Sequence, residues 1–381
     1  MQSVKRNILL TPGPATTTDT VKYAQVVPDI CPREAEFGDL MEAVSKKLTQ
    51  IAADANRATA VLFSGSGTAA VEAVLSSTIG DGTVIIVNNG AYGKRMCEIA
   101  LAYGLHFLEF AASSVEPVDL TALEALFQRS GQISHLAVVH HETTSGLLND
   151  IGPIGELCRR YKADLIVDAI SSFGAVPIQM DEMNINYLVA SSNKNVQGLP
   201  GISFVIAEKS KLESLKQIKC KNYYLNLYEQ YNYLEKKKQM RFTAPVQTLY
   251  ALRQAITELE YEGVPQRYAR YRKSWETLAD GLKKLGLKYL VQDRYHSKLV
   301  TSIIEPVCEG YNFQKMHDFF YEKGITIYPG KIENLSTFRI ANIGDISFHD
   351  IRLFLELLES YLQSIGYPLR KAADSHDDIR E

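Results

Sequence analysis

The chain has no apolar run approaching the roughly 20 residues that a membrane-spanning helix requires. Its opening carries Lys5 and Arg6, with nothing more apolar behind them than Ile8-Leu9-Leu10, so a secretory leader is not expected either. A cytoplasmic protein that does not enter membranes is the expectation. Cysteine is scarce: five residues, Cys31, Cys97, Cys158, Cys220 and Cys308, odd in number, widely spaced and without a Cys-x-x-Cys pair. That pattern speaks against a disulfide framework and against a zinc site, and reduced thiols with no metal are expected. Charge of one sign is also missing, since the formal net charge is only -3. Such a balance gives no electrostatic reason to expect nucleic acid or an anionic membrane as partner. Neither a G-x-G-x-x-G fingerprint nor a Gly-Lys-Ser/Thr phosphate loop occurs, which disfavours dinucleotides and ATP. No internal repeat or low-complexity segment is present.

What is present is enough apolar material for large cores. With 381 residues and 46% hydrophobic content, about two domains are expected. Phe37, Leu40, Met41, Val44, Leu48 and Ile51 recur at helical spacing and predict an amphipathic helix within residues 35–56. Beyond it, short apolar segments alternate with helix-length ones: 60–63, 84–87, 105–110, 136–139, 165–167, 187–190 and 202–207. Strands with little polar alternation predict a mostly parallel sheet sandwiched by helices, an α/β fold. In such folds the strand-end loops gather at one edge, where ligands bind. Residues 209–241, crowded with Lys and Tyr, read as a solvated, partly extended connection. Helical patterning over 247–285 leads into a smaller α/β domain with strands at 298–305, 325–328 and 337–341 and helices at 313–323 and 347–365. The expected division is an N-terminal arm, 1–15, associated with the small domain; a large domain, 16–250; a small domain, 251–368; and a polar tail, 369–381.

Three loops carry chemistry. Ser64-Gly65-Ser66-Gly67-Thr68 joins a buried strand to a helix, leaving backbone N–H groups at a helix N-terminus where the dipole favours an anion; the hydroxyls of Ser66 and Thr68 add donors. It reads as a phosphate cup. Asp168 ends the apolar run Leu165-Ile166-Val167, and Lys194 lies in the small, polar loop Ser191-Ser192-Asn193-Lys194-Asn195-Val196-Gln197-Gly198. A lysine so placed can form a Schiff base with an aldehyde cofactor, and an aspartate at a strand end can hold a pyridine nitrogen protonated. Any one of the three is a common structural feature of globular proteins. The set points to pyridoxal 5'-phosphate.

With these elements in this order, the chain resembles the class V, fold type I aminotransferases, most closely their branch acting on 2-aminoethylphosphonate and pyruvate. The likeness runs from Leu9-Leu10-Thr11-Pro12-Gly13-Pro14 to Phe338-Arg339-Ile340-Ala341-Asn342-Ile343-Gly344. Between them lie Asn89-Gly90-Ala91-Tyr92-Gly93, His141-Glu142-Thr143-Thr144-Ser145-Gly146 and Arg241-Phe242-Thr243-Ala244-Pro245. The resemblance implies Lys194 as the Schiff-base lysine and proton carrier and Asp168 as partner of the pyridinium. Ser66, Gly67 and Thr68 would hold the phosphate, Tyr92 would stack on the ring, and Thr143 would bond the phenolic oxygen, with Thr144 as alternative. Thr243 would reach the cofactor phosphate of a neighbouring subunit, making a homodimer with shared sites. Arg339 would grip the anionic end of both substrates, the phosphonate and the carboxylate of alanine or pyruvate, with Arg241 or Lys331 as a second phosphonate donor. His141 and Glu142 are assigned to structure.

Two departures from the family pattern stand out. The segment 29–37 lacks its Trp- and Asp-rich form, which bears on substrate preference and direction, and Asn195 follows the lysine. The rival activities are alanine–glyoxylate or serine–pyruvate exchange on the same fold. A cysteine desulfurase would need a mobile nucleophilic cysteine, which neither Cys220 nor Cys308 resembles, and a regulator without catalysis would not need both Lys194 and Asp168.

Overall fold

A computed structural model describes residues 3–330, 332 and 335–369. Lys331 and the tail from residue 370 lie outside the described residues. The chain opens with β1 (Ile8–Leu9), α1 (Asp19–Tyr23) and α2 (Ala35–Gln50). It continues through β2 (Ala58–Ser64), α3 (Gly67–Thr78), β3 (Thr83–Asn88), α4 (Ala91–Ala102), β4 (His106–Ala111), α5 (Leu120–Arg129) and β5 (His135–Val139). A small hairpin, β6 (His141–Glu142) and β7 (Leu147–Leu148), precedes α6 (Ile151–Tyr161), β8 (Asp164–Asp168), β9 (Tyr187–Ser191) and β10 (Ile202–Glu208). Then come α7 (Lys209–Ser214), α8 (Leu227–Lys237), α9 (Val246–Glu262) and α10 (Val264–Lys284). The remainder is β11 (Val300–Ile304), α11 (Phe313–Glu322), β12 (Ile325–Thr326), β13 (Tyr328–Pro329), β14 (Thr337–Ala341) and α12 (Phe348–Ser364).

The main sheet has seven strands in the order β2-β10-β9-β8-β5-β3-β4. Only β10 runs against its neighbours. Alternate residues along each strand point to opposite faces, and here both faces are apolar. Leu62, Ile85, Leu136, Val167 and Phe204 enter a core with α2, α5, α6 and α9, whereas Val61, Ile86, Ala137, Ile166 and Val205 enter a second core with α3, α4, α7 and α8. This double cover explains why the strands read as continuous apolar runs. The edge strand β4 is the exception: of its segment only the first residue, Leu105, is buried, while His106 and Glu109 through Ala111 are exposed or half-exposed, unlike the other edge strand, β2, which is buried from Ala58 to Phe63.

The expected extended connection at 209–241 is instead largely helical. Leu227, Gln230, Tyr231 and Leu234 recur at helical spacing and are buried in α8, and Asn226 caps it by accepting the Glu229 N–H at 2.9 Å. The density of Lys and Tyr hides this periodicity. The helix predicted within 35–56 ends at Gln50, and the strand predicted over 325–328 is two short strands in different sheets. One of them, β12, pairs in parallel with β1, so the N-terminal arm is a strand of the C-terminal region.

That region forms its own core from Leu278, Leu282, Phe320, Phe338, Ile340, Phe354 and Leu358, with Ile8 and Leu10 from the arm. Helix α9 crosses residue 250 without a break, and Leu249 through Ile256 pack into the large core. The chain bends at Gly263, which has φ +81 between α9 and α10.

Candidate active site

Because β2, β3, β5, β8 and β9 all point the same way, their C-terminal ends share one edge of the sheet. The loops after them hold Ser66, Tyr92, Thr143, Asp168 and Lys194, the crevice expected for an open α/β sheet.

At the floor, Asp168 is 6% exposed and accepts the Ile170 N–H at 2.9 Å. Burial raises its pKa to about 6, with nearby Glu142 adding to the rise and Arg95 and Lys194 opposing it. A carboxylate strained in this way favours a cationic partner. Packed beside it is the cup. Helix α3 begins at Gly67 with Ser66 as its N-cap residue and no side-chain cap; the Ala69 N–H turns back to the Ser66 carbonyl at 2.9 Å, which leaves the Gly67 and Thr68 amides without an intrahelical acceptor. A Cβ on Gly67 would lie 2.5 Å from Ile170 Cδ1, so glycine lets the cup pack on the loop after β8 without displacing that side chain.

Lys194 reaches back under the N-terminal arm, where its ammonium donates to the Pro12 carbonyl. Gly13 makes room: a Cβ there would overlap the end of the lysine side chain. The Ala15 N–H donates to the Asn193 carbonyl at 3.0 Å, fastening arm to lysine loop. Apart from the run Thr11-Pro12-Gly13-Pro14, nothing in the residue pattern signals this contact.

Glu142 is fully buried and holds together the loops after β3 and β5. It accepts from Thr144 Oγ1 at 2.5 Å, the Thr144 N–H at 3.1 Å and the Tyr92 N–H at 3.2 Å, capping α4 from another strand. Burial raises its pKa, against the pull of those donors. A Cβ on Gly90 would come 2.4 Å from the Glu142 carboxyl carbon, which accounts for glycine there. The two threonines are thereby separated: Thr144 Oγ1 is committed to Glu142, while Thr143 Oγ1 is buried with no hydrogen-bond partner among the described residues. His141 donates from Nδ1 to the Ser171 carbonyl at 3.0 Å, and burial brings its pKa down to about 4, so the ring is neutral. Tyr92 is half-buried at the start of α4, with the Arg95 guanidinium 4.9 Å from its ring centroid.

Arg339 enters from β14. It is 1% exposed, donates to the Pro329 carbonyl at 3.0 Å and the Thr143 carbonyl at 3.3 Å, and forms no ion pair with a described acidic side chain. Burial lowers its pKa. The contrast with Arg267, equally buried but paired with Glu262 at 2.6 Å, is instructive. A buried, unneutralised guanidinium is unfavourable unless an anion arrives to meet it.

Two expected residues make no described contact with the crevice, although Thr243 lines a small cavity with Phe63 and Ser64 at the end of β2. Thr243 is exposed, and Arg241 is committed to the Tyr223 carbonyl at 2.9 Å and lies over the rings of Tyr223 and Phe242. No cluster of His, Cys, Asp or Glu among the described residues is suited to a metal, and no described helix is long and apolar enough to cross a membrane.

A lysine, a buried carboxylate and an open helix N-terminus thus meet at the strand ends of a doubly covered α/β sheet. Residues 18–342 match the family Aminotransferase class-V, and the chain belongs to it. A bifunctional phosphonoacetaldehyde hydrolase/aminoethylphosphonate transaminase of Clostridioides difficile is 40% identical over 93% of this chain, which spans only 56% of that relative's length. The 2-aminoethylphosphonate–pyruvate transaminase of Klebsiella pneumoniae is 40% identical over 93% of this chain and 97% of its own. Among solved structures, an alanine–glyoxylate aminotransferase from Nostoc superposes with a TM-score of 0.87 at 27% identity, covering 95% of this chain and 96% of that one. The ureidoglycine–glyoxylate aminotransferase of Bacillus subtilis, at 23% identity, shares the fold with a TM-score of 0.88 over 97% of this chain and 96% of its own.

Proposed function

We propose that the crevice binds pyridoxal 5'-phosphate and that the protein is a transaminase exchanging an amino group between 2-aminoethylphosphonate and alanine, with phosphonoacetaldehyde and pyruvate as their oxo partners. The residues fit the cofactor. The uncapped start of α3 with Ser66, Gly67 and Thr68 suits its phosphate, the unpaired Thr143 Oγ1 its phenolic oxygen, and the desolvated Asp168 its protonated ring nitrogen. Tyr92 flanks the same space. When bound, the cofactor supplies a carbonyl that captures amines and a ring that accepts the electrons of a broken C–H bond. Lys194 would then carry the proton, its Nζ taking one from the carbon bearing the amino group and delivering it to the cofactor carbon on the other side of that nitrogen. Asp168 would hold the ring proton in place, and the arm crosses over Lys194, which stays partly buried beneath it.

The observation that carries the substrate class is Arg339, a buried cation without a described acidic partner beside Thr143. Alanine carries its carboxylate on the reacting carbon and 2-aminoethylphosphonate its phosphonate one methylene further out, a difference a long arginine side chain can span, so one planar fork serves both half-reactions. The relatives' names support the phosphonate.

The test is a pair of single-turnover half-reactions, one with 2-aminoethylphosphonate and one with alanine. Arg339→Ala should lower both specificity constants by roughly 30- to 1000-fold, and lysine should restore only part of this. If neither half-reaction weakens, the assignment is wrong. Wild-type protein that turns over alanine with glyoxylate but ignores the aminophosphonate would favour the alanine–glyoxylate alternative.

The same reading carries a cytoplasmic homodimer with Thr243 completing the neighbour's phosphate cup. Supporting it are five unpaired cysteines, as in a reducing compartment, and the exposure of Thr243 beside Tyr223 and Tyr224, which are 77% and 45% exposed.

A further inference from the structure

Helix α10 carries neither Lys194 nor Arg339, yet one of its side chains ties the loop of the first to the strand of the second. Tyr271 is fully buried. Its hydroxyl accepts from Gln197 Nε2 at 2.7 Å and from the Gly344 N–H at 2.8 Å. Gln197 closes the lysine turn, its N–H donating to the Lys194 carbonyl at 3.0 Å, and it holds a left-handed φ of +64. Gly344 follows β14 by three residues, and the backbone carbonyl of Tyr271 also accepts from Asn342 Nδ2 at 2.8 Å. One phenol therefore receives both ends.

The neighbours on the same helix reinforce the tie in parallel. Arg267 donates to the Asn195 carbonyl at 2.6 Å, directly after the lysine, and Arg270 donates to the Gly344 and Ile346 carbonyls at 2.9 and 2.8 Å. Both guanidiniums share the Glu262 carboxylate, at 2.6 and 2.7 Å, at the end of α9. With two rigid attachments on one helix, a small displacement of β14 is passed to the lysine turn rather than absorbed, because a buried hydrogen bond is expensive to leave unmade.

We infer that Tyr271 is a positioning residue that couples capture of the substrate's anion at Arg339 to the placement of the Lys194 amine. This rests on the proposed transaminase reading. An anion drawing Arg339 toward it shifts β14, and the Tyr271 hydroxyl passes that shift to Gln197 and so to Lys194.

The test uses protein loaded with pyridoxal 5'-phosphate and two unreactive anions, ethylphosphonate and propionate. The quantity read is the pH midpoint of the absorbance change of the cofactor bound at Lys194. In the unsubstituted protein a saturating anion should move that midpoint by about one unit. In Tyr271→Phe, which keeps the ring and removes the shared acceptor, the shift should fall to less than about a third of that, and the Gly344 amide of the cofactor-free protein should exchange about tenfold faster. Gln197→Met removes one donor and leaves the phenol; it should reproduce the loss, and combining it with Tyr271→Phe should add little. A full anion-induced shift in either variant, or no shift with either anion in the unsubstituted protein, overturns the coupling. A shift with propionate but none with ethylphosphonate leaves the coupling standing and defeats the phosphonate reading instead.

Discussion

Asp168 has a measurable consequence before any substrate is present. Its carboxyl titrates near 6 in the folded protein because burial opposes the charge. In the unfolded chain it titrates near the ordinary value of about 3.9, so between those pH values the native state binds more protons. Stability without cofactor therefore falls as pH rises through this window, and the loss is complete above it. Asp168→Asn should raise the stability of cofactor-free protein at pH 7.5 by on the order of 2 kcal/mol, with the difference vanishing below about pH 4. With cofactor bound the sign should reverse, since the carboxylate then has its cation. Urea titrations at both pH values, with and without cofactor, check this; a variant less stable than wild type in the cofactor-free state at pH 7.5 would refute it. The adjacent threonines offer a second contrast. Thr143→Val removes a hydroxyl with no described partner and should weaken cofactor binding while leaving unfolding nearly unchanged. Thr144→Val strips a donor from buried Glu142 and should destabilise by about 1–3 kcal/mol. Equal thermal shifts in the two variants would undo that distinction.

At the scale of elements, legibility followed burial. The strands β3, β5, β8, β9 and β10 were readable because both faces are apolar, and a run such as Leu165-Ile166-Val167 has few other uses. Helix α8 was not. Its buried positions are Leu227, Gln230, Tyr231 and Leu234, and a polar Gln230, donating to the Leu62 carbonyl at 2.9 Å, breaks the apolar count. The candidate site divides the same way. Residues that follow strands could be placed from sequence, since topology alone brings strand ends together. Pro12 over Lys194, and Tyr271 on α10, could not, because each acts through a distant backbone group and leaves no periodic trace. The helical assignment of α8 is open to a direct check. Asn226→Ala removes its cap and should lower stability by about 1 kcal/mol, read by denaturant titration, where a solvated extended connection would show no effect.

For the whole molecule, the crevice is assembled from parts that meet only once the chain is folded end to end. The arm supplies Pro12, the large sheet supplies Asp168 and Lys194, and the C-terminal region supplies Arg339, whose strand region also receives the arm through β1 and β12. Ser302 of β11 donates to the Thr144 carbonyl at 2.6 Å, so the C-terminal region grips the very loop that carries Thr143. Closure within one chain still leaves the start of α3 without a side-chain cap and Thr243 exposed among stacked aromatics. If a second copy brings its Thr243 to that cup, lysine and threonine of one working site come from different chains. Two inactive proteins should then repair each other. Mixing Lys194→Ala with Thr243→Val under conditions that exchange subunits yields heterodimers in which one site carries both lesions and the other neither. About half of the dimers in an equimolar mixture are heterodimers, each with one intact site, so activity should recover toward about a quarter of wild type. Recovery that appears on mixing, depends on subunit exchange and peaks at equal ratios supports the shared site. An exchanged mixture as inactive as its parents would place Thr243 in the same chain's site as Lys194, and a monomer with full activity in light scattering would refute the shared site outright.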